Sequence, residues 1–290
     1  AEALRRGVEA SEGHLAAGDA AWFAGGLAAA EHWRLFADFR HAVAYVDIET
    51  TGLGGPDDYI TAVAVYDGTS VHSYVQGENL FDFRDAIDRY RLLVTYNGKS
   101  FDLPWLRRTF GTPLRQAHID LRYTLARLGY RGGLKGCERQ LGLDRGDLAE
   151  VDGRVAVWLW WDWHSRGNRR ALDTLLAYNT LDVVHLERLL VFAYNTCLAA
   201  TPFADRRSLA EPEPPSLPFQ PDPQTLRRVA AEHGHDLAGL REGEAPAEPT
   251  TDRQPTRPRL RVGEGGGEGE EGRRFQVPGS GFWIGGGPDC

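Results

Sequence analysis

Two carboxylates lie two residues apart inside an apolar, β-branched segment at residues 45–52. Strand side chains alternate between faces, so Asp47 and Glu49 are expected to point to the same side of one strand. Two like charges held side by side repel each other, and a fold keeps such a pair when a metal ion or a bound proton compensates it. The pair therefore predicts a divalent-metal site.

Two further carboxylates occur where they can complete such a site. Asp102 follows a short apolar segment and an Asn-Gly turn, near the start of a predicted helix whose first turn favours negative charge. Sites in open α/β sheets form at the carboxyl ends of strands, which is where this turn lies. Asp182 comes four residues after Tyr178, so the two share one face of a helix, and most neighbours of Asp182 are apolar.

This set of oxygen ligands predicts two Mg²⁺ or Mn²⁺ ions, held by Asp47, Glu49, Asp102 and Asp182. Two such ions, about 3.5–4 Å apart, stabilise the attacking and leaving oxygens of phosphoryl transfer. Tyr178 is predicted to orient or deprotonate the attacking water. Orientation is favoured, because a free tyrosine has a pKa of about 10.

Three segments resemble the motifs of the DEDD 3′–5′ exonucleases. Residues 47–52 resemble the first motif, and residues 97–104 resemble the second, in the form seen in proofreading domains of family B polymerases. Tyr178 and Asp182 resemble the third motif in its tyrosine variant. Residues 132–143 and the Tyr178-Asn179 pair are similar to the YprB-like ribonuclease H-like domain within that superfamily.

The resemblance covers residues 41–198. It implies an α/β fold of the ribonuclease H-like type, with a mixed five- to six-stranded sheet flanked by helices. It also implies a metal-dependent 3′–5′ exonuclease whose partner is a single-stranded 3′ end of DNA or RNA. Two alternatives stay open: a non-catalytic nucleic-acid-binding or adaptor protein on the same fold, and an endonuclease or junction-processing enzyme.

Four polar residues beside the motifs are candidates for substrate binding. Thr50 and Thr51 are predicted to touch the scissile phosphate or the terminal nucleotide, and the following glycine favours close backbone approach. Asn97 is predicted either to bond a sugar or phosphate or to shape its turn. Lys135 is predicted to contact a phosphate, against the alternative of a solvated surface charge.

Other residues have two interpretations each. Asp120 is either a fifth acidic neighbour or the cap of the following helix, and the cap is favoured. His185 is predicted either to reach the site or, as is favoured, to lie on a helix surface or behind the site. The four tryptophans of residues 158–163 are expected to pack on the core rather than to stack on unpaired bases.

Hydrophobic periodicity predicts a three-strand meander, a short buried strand and a mainly helical remainder. Strands are expected at 43–49, 60–66, 71–75 and 92–96. Helices are expected at 82–90, 102–110, 121–128, 133–141, 153–165, 168–178 and 181–198.

Composition divides the chain into a helical lead-in at 1–40, the exonuclease domain at 41–200 and a tail at 201–290. Twelve of the 16 prolines follow residue 203, which is typical of linkers and disorder. The tail is therefore expected to be largely disordered, with one short helix near 224–242, and to be available to an unknown protein partner.

The net charge of −8 gives no overall basic signature, so a nucleic-acid partner must be held by a local patch and by metal. Three widely spaced cysteines show neither a disulfide framework nor zinc spacing, which predicts a cytoplasmic location. No apolar segment is long enough to span a membrane, so no membrane partner is expected.

Overall fold

In a computed structural model of the protein, which describes residues 2–235, five strands form one mixed sheet in the order β3-β2-β1-β4-β5. The strands are β1 (Val43–Thr50), β2 (Ile60–Tyr66), β3 (Val71–Val75), β4 (Leu92–Thr95) and β5 (Ala117–Asp120). β1, β2 and β3 are antiparallel neighbours, whereas β4 runs parallel to β1 and β5 runs parallel to β4. The predicted mixed α/β sheet is confirmed, with five strands.

Helices surround this sheet. In chain order they are α1 (Glu2–Ala16), α2 (Ala20–Gly26), α3 (Phe36–Phe39), α4 (Phe83–Ile87), α5 (Asp102–Phe110), α6 (Leu121–Arg127), α7 (Gly133–Leu141), α8 (Gly153–Arg166), α9 (Arg169–Leu198), α10 (Ala204–Arg207) and α11 (Pro223–Glu232). Short 3₁₀ turns occupy Ala29–Leu35, Arg40–Ala42, Leu80–Asp82 and Gly146–Leu148.

Apolar layers cover both faces of the sheet. On β1, Tyr45 faces the layer that includes α3 and α9, while Val46 and Ile48 face the layer that includes α4 and α5. Alternation therefore holds along β1, but both faces are buried, as is usual for the central strand of a sheet with helices on each side. Asp47 and Glu49 share the face of Tyr45, which is the side that α9 crosses.

Helix α9 is one continuous helix of 30 residues, where the sequence predicts two helices separated near residue 179. Asn179 and Thr180 are residues that compete for backbone hydrogen bonds and favour helix ends. Here Thr180 Oγ1 donates back to Leu176 O at 2.7 Å, and the Asn179 amide bonds a side chain of β1. Tertiary packing keeps the helix intact, so the predicted break is wrong.

Helix α11 shows that packing extends past the predicted domain end at residue 200. Asp222 caps the helix and Pro223 begins it. Leu226, Val229 and Ala230 are buried in the apolar cluster formed by α8 and α9. The proline-rich composition of residues 201–290 concealed this apolar face, although a helix in this region is predicted and confirmed. The rest of the predicted disordered tail, residues 236–290, and its partner lie outside the described residues.

We expect Leu226→Ala to lower the free energy of unfolding by about 2–4 kcal/mol, because it leaves a cavity between α11 and its neighbours. Urea denaturation measures the change. Arg227→Ala, on the exposed side of the same helix, is the matched control and should change stability by less than about 0.5 kcal/mol. Equal effects of the two substitutions would contradict the observed packing of α11.

Among residues 2–235, no helix combines the length and the apolar character needed to cross a membrane. Within the same residues, Cys137 and Cys197 are buried free thiols. The cytoplasmic location stays a prediction.

Candidate active site

Three carboxylates converge where α9 crosses β1. One carboxylate oxygen from each of Asp47, Glu49 and Asp182 lies within 4.8 Å of the others. Asp47 is half-buried, and Glu49 and Asp182 are buried. The strand alternation that places Asp47 and Glu49 on one face therefore brings both of them to the third motif, as the sequence predicts.

Asp102 is the first residue of α5 and joins the same region through the backbone of β1. Its Oδ1 accepts a hydrogen bond of 3.2 Å from the amide of Ile48, the residue between Asp47 and Glu49. Asp102 is buried, and its repulsion adds to the burial and to the charge of Asp182, which raise the pKa of Asp47 and Glu49. The structure thus brings the four predicted carboxylates into one region, although Asp102 does not belong to the tight group of three.

Burial is the main cause that raises the pKa of all four carboxyl groups. For Asp47 and Glu49 the next cause is repulsion from Asp182, followed by repulsion from Asp102. The pKa of Asp102 rises to about 7, even though backbone amides favour its charged form. Ionised together, these groups need a compensating cation.

The donor set of this group fits a hard divalent ion. Its ligating atoms are all carboxylate oxygens, which Mg²⁺ and Mn²⁺ prefer. In the described part of the chain, Asp182 Oδ1 is buried and accepts no well-directed hydrogen bond, although a guanidinium lies close to it. An ion bound between these oxygens would compensate the negative charge that the surrounding side chains do not neutralise.

Tyr178 lies one helical turn before Asp182 and is buried beneath two cations. Lys135 Nζ is 5.3 Å from the centroid of its ring, and the guanidinium carbon of Arg145 is 5.6 Å from it. Burial and then the charge of Asp182 raise the pKa of Tyr178 well above its usual value. The phenol is therefore protonated at neutral pH, which favours a role in hydrogen bonding over one in proton abstraction.

Asn179 holds the carboxylate of Asp47, a role that sequence analysis did not assign. Its side chain is fully buried, and Nδ2 donates a hydrogen bond of 2.7 Å to Asp47 Oδ2. The sequence signal for this role of Asn179 is an amide side chain next to Tyr178 in an otherwise apolar helix. Asn179 orients one predicted ligand from the helix that supplies another.

The sequence also does not predict the buried charged network behind Asp182. Arg145 Nε lies 2.5 Å from Glu138 Oε2, and Arg145 Nη2 lies 2.7 Å from Glu138 Oε1 and 2.5 Å from Asp182 Oδ1. His185 is buried behind the site, with Nδ1 2.9 Å from Glu138 Oε1, which is one of its predicted positions; the other, on the helix surface, is wrong. The available signal was Glu138 on the apolar face of α7, in helical register with Leu134 and Leu141.

The predicted substrate residues Thr50 and Thr51 have partners within their own loop. Thr50 Oγ1 donates to Gly52 O at 2.6 Å, and Thr51 Oγ1 donates to Asp58 Oδ1 at 3.3 Å. A Cβ atom on Gly52 would overlap the Asp58 carboxylate, so glycine is required for this close approach. The two hydroxyls organise the loop that follows β1, and their contact with substrate stays a prediction.

Asn97 and Asp120 shape the turn before α5. Asn97 has a left-handed backbone with φ of 67°, and its Oδ1 accepts hydrogen bonds from Ser100 and Arg122. Asp120 accepts the Asn97 amide at 2.8 Å and caps α6 through the Arg122 amide at 3.1 Å. These contacts support the turn-shaping interpretation of Asn97 and the capping interpretation of Asp120. The fourth predicted substrate residue, Lys135, is half-buried and donates to Ala149 O at 3.3 Å.

A groove of about 480 Å³ opens beside Glu49. Leu53 and Phe101 line it together with Arg154 and Trp158 at the start of α8. Trp158 also stacks on His233 at 4.4 Å between ring centroids. Trp160 is fully buried, as the packing interpretation predicts, whereas Trp161 is exposed, so for Trp161 that interpretation is wrong. The groove combines apolar surface with Glu49 and with the guanidinium of Arg154, which is paired with Asp152.

A family model described as the RNase H superfamily matches residues 44–194, just over half of the chain. The chain belongs to the RNase H superfamily. The matched region of this RNase H superfamily domain contains all of β1 but its first residue, the predicted motif carboxylates and Tyr178. Proteins of the superfamily are generally nucleases that use divalent metals, in keeping with the carboxylate group.

This RNase H superfamily chain is also similar to a solved structure, the family B DNA polymerase from the hyperthermophilic archaeon Pyrobaculum calidifontis. The two are 20% identical over 58% of this chain and 27% of the polymerase, with a TM-score of 0.40. The chain thus aligns with about a quarter of that polymerase. No curated protein matches the chain.

Proposed function

We propose that the protein is a metal-dependent 3′–5′ exonuclease of the DEDD type in its tyrosine variant, similar to the YprB-like domain. The observation that carries this proposal is the convergence of Asp47, Glu49 and Asp182, with Asp102 bonded to the strand between the first two. Membership of the RNase H superfamily supports nuclease chemistry, and the order of the three motifs supports the exonuclease subtype.

Asp47, Glu49, Asp102 and Asp182 would hold two Mg²⁺ or Mn²⁺ ions. Bound there, such ions supply a water-derived nucleophile and stabilise the charge of the leaving oxygen. Asn179 keeps Asp47 in the orientation required of a ligand. Tyr178 aligns the attacking water by hydrogen bonding rather than removing its proton, a role that burial supports because it raises the pKa of the phenol.

The substrate in this proposal is a single-stranded 3′ end of DNA or RNA. The terminal nucleotide enters the groove beside Glu49, where Leu53 and Phe101 offer apolar surface. Lys135, whose ammonium lies close to the ring of Tyr178, contacts a phosphate at the edge of the site. Thr50 and Thr51, whose hydroxyls organise the loop after β1, would touch the scissile phosphate or the terminal nucleotide.

A digestion panel tests the proposal. Single- and double-stranded DNA and RNA, labelled at either end, are incubated with Mn²⁺, with Mg²⁺ or with EDTA. We expect mononucleotides to be released from the 3′ end, leaving 5′-labelled fragments that shorten progressively, and we expect EDTA to stop release. Cleavage of circular or 3′-blocked strands would instead indicate an endonuclease. Intact strands under all conditions would indicate a non-catalytic binding protein.

A further inference from the structure

The acidic group already contains a cation supplied by the chain. Arg145 follows α7, and its side chain is only 4% exposed. Its Nη2 lies 2.5 Å from Asp182 Oδ1, an oxygen of the third-motif carboxylate. Arginine stays protonated in proteins, so this positive charge is permanent at every pH at which the protein is folded.

Two residues fix this guanidinium from behind. Glu138, itself buried, accepts hydrogen bonds from both Nε and Nη2, in the two-point geometry that suits a carboxylate and a guanidinium. His185 Nδ1 contacts the same carboxylate at 2.9 Å. The charge of Arg145 is therefore held against Asp182 and does not depend on a mobile side chain.

The contact between Arg145 and Asp182 is close but incompletely hydrogen-bonded. Among the described residues, Arg145 Nη1 is buried without an acceptor, and Asp182 Oδ1 accepts no well-directed hydrogen bond. A buried donor without a partner costs free energy. The network is thus complete at Glu138, and it leaves Arg145 Nη1 and Asp182 Oδ1 without hydrogen bonds.

We propose that Arg145 is an internal counter-cation of the acidic group, which stabilises the metal-free carboxylates and competes with a divalent ion for Asp182. This inference rests on the proposed function, since Asp182 is a ligand only in that proposal. A fixed positive charge next to a ligand oxygen weakens the binding of any second cation there. Arg145 is a positioning residue that sets metal affinity and does not touch the substrate.

Lys135 is the other cation near Asp182, and its surroundings differ. It is half-buried, and its ammonium donates to Ala149 O and lies over the ring of Tyr178. Its charge therefore acts on Asp182 from a greater distance than the guanidinium in direct contact with Oδ1. For this reason we assign the role of internal counter-cation to Arg145 and not to Lys135.

Titration of the full chain with Mn²⁺, followed by the electron paramagnetic resonance signal of the free ion, tests the inference. We expect Arg145→Gln to bind Mn²⁺ about tenfold more tightly than wild type, because the competing charge is gone. Without metal the variant should melt at a lower temperature, and Mn²⁺ should raise its melting temperature by more than it raises that of wild type. Arg145→Lys retains a positive charge and should bind Mn²⁺ within about threefold of wild type.

Arg139→Gln is the matched control, since it removes an arginine from the exposed side of α7 and should leave the Kd for Mn²⁺ unchanged. A folded Arg145→Gln protein that binds Mn²⁺ no more tightly than wild type overturns the inference and leaves the proposed exonuclease intact. If neither wild type nor folded Arg145→Gln binds Mn²⁺, the proposed function is overturned, and the inference with it.

Loss of Arg145 leaves Glu138 buried without its partner, which can prevent folding. Should Arg145→Gln not fold, ¹⁵N NMR of the wild-type arginine side chains gives the second measurement, with Arg145→Lys used to assign the signal. We expect the Arg145 Nε–H signal to shift on addition of Mg²⁺ and to saturate with the Kd of the ion. A signal that does not respond while Mg²⁺ binds overturns the inference.

Discussion

Asp47→Asn is expected to melt about 2–4 °C above wild type at pH 7.5 in EDTA, while hydrolysis in Mn²⁺ falls by about 10³-fold or more. Burial and three neighbouring acids raise the pKa of Asp47. A carboxyl whose pKa is higher in the folded chain than in the unfolded chain opposes folding when it is ionised, and this cost grows as pH rises through the folded-state value. An amide removes the charge and still accepts the hydrogen bond from Asn179.

Differential scanning fluorimetry and the end-labelled digestion assay measure the two effects. In Mn²⁺ the order of melting temperatures should reverse, because ion binding stabilises the folded wild type more than a variant that lacks one ligand. Asp85→Asn, at an exposed position on α4, is the control and should change neither quantity. An Asp47→Asn protein that hydrolyses nucleic acid at the wild-type rate would exclude Asp47 as a metal ligand. An Asp47→Asn protein that melts below wild type in EDTA would show that repulsion among the carboxylates does not dominate the stability of the metal-free protein.

The parts of the site that sequence predicts are those fixed by local periodicity. Asp47 and Glu49 share a face because strand side chains alternate, and Tyr178 and Asp182 share one because a helix repeats every 3.6 residues. Asp102 is predictable because a buried strand and an Asn-Gly turn precede it. In each case a few neighbouring residues determine the direction of the side chain.

The parts that sequence does not predict depend on contacts between distant segments. Asn179 meets Asp47 from 132 positions away, and His185 meets Glu138 from 47 positions away. The crossing of α9 over the sheet brings the first pair together, and the contact between α7 and α9 brings the second together. The same crossing gives Asn179 its bonding partner, which is why the break predicted near residue 179 does not occur.

Charge within the core is the second feature that local patterns conceal. Arg145 follows a glycine-terminated helix in a segment that resembles an exposed loop, yet its guanidinium is buried between Glu138 and Asp182. Nothing in the neighbouring residues distinguishes it from the many exposed arginines of the chain. Its burial follows from the two carboxylates that it contacts, which come from α7 and α9.

Tyr178→Phe is expected to lower the rate of hydrolysis by about 10²-fold while leaving the fold and the Kd for Mn²⁺ unchanged. The substitution removes one hydroxyl and keeps the ring on which Lys135 and Arg145 pack. Burial raises the pKa of the phenol, which favours a contribution through a hydrogen bond that orients the attacking water. Single-turnover digestion of a 5′-labelled strand at saturating Mn²⁺ measures the rate.

The pH dependence of that rate separates alignment of the water from proton abstraction. If Tyr178 aligns the water, wild type and Tyr178→Phe should show pH profiles of the same shape between about pH 6 and 9, displaced by a constant factor, because a phenol with a raised pKa does not ionise in that range. An ionisation limb present in wild type and lost in Tyr178→Phe would identify the phenolate as the base. Tyr123→Phe, at an exposed tyrosine of α6, is the control and should retain the wild-type rate. A Tyr178→Phe protein with the full rate would restrict Tyr178 to packing beneath its two cations.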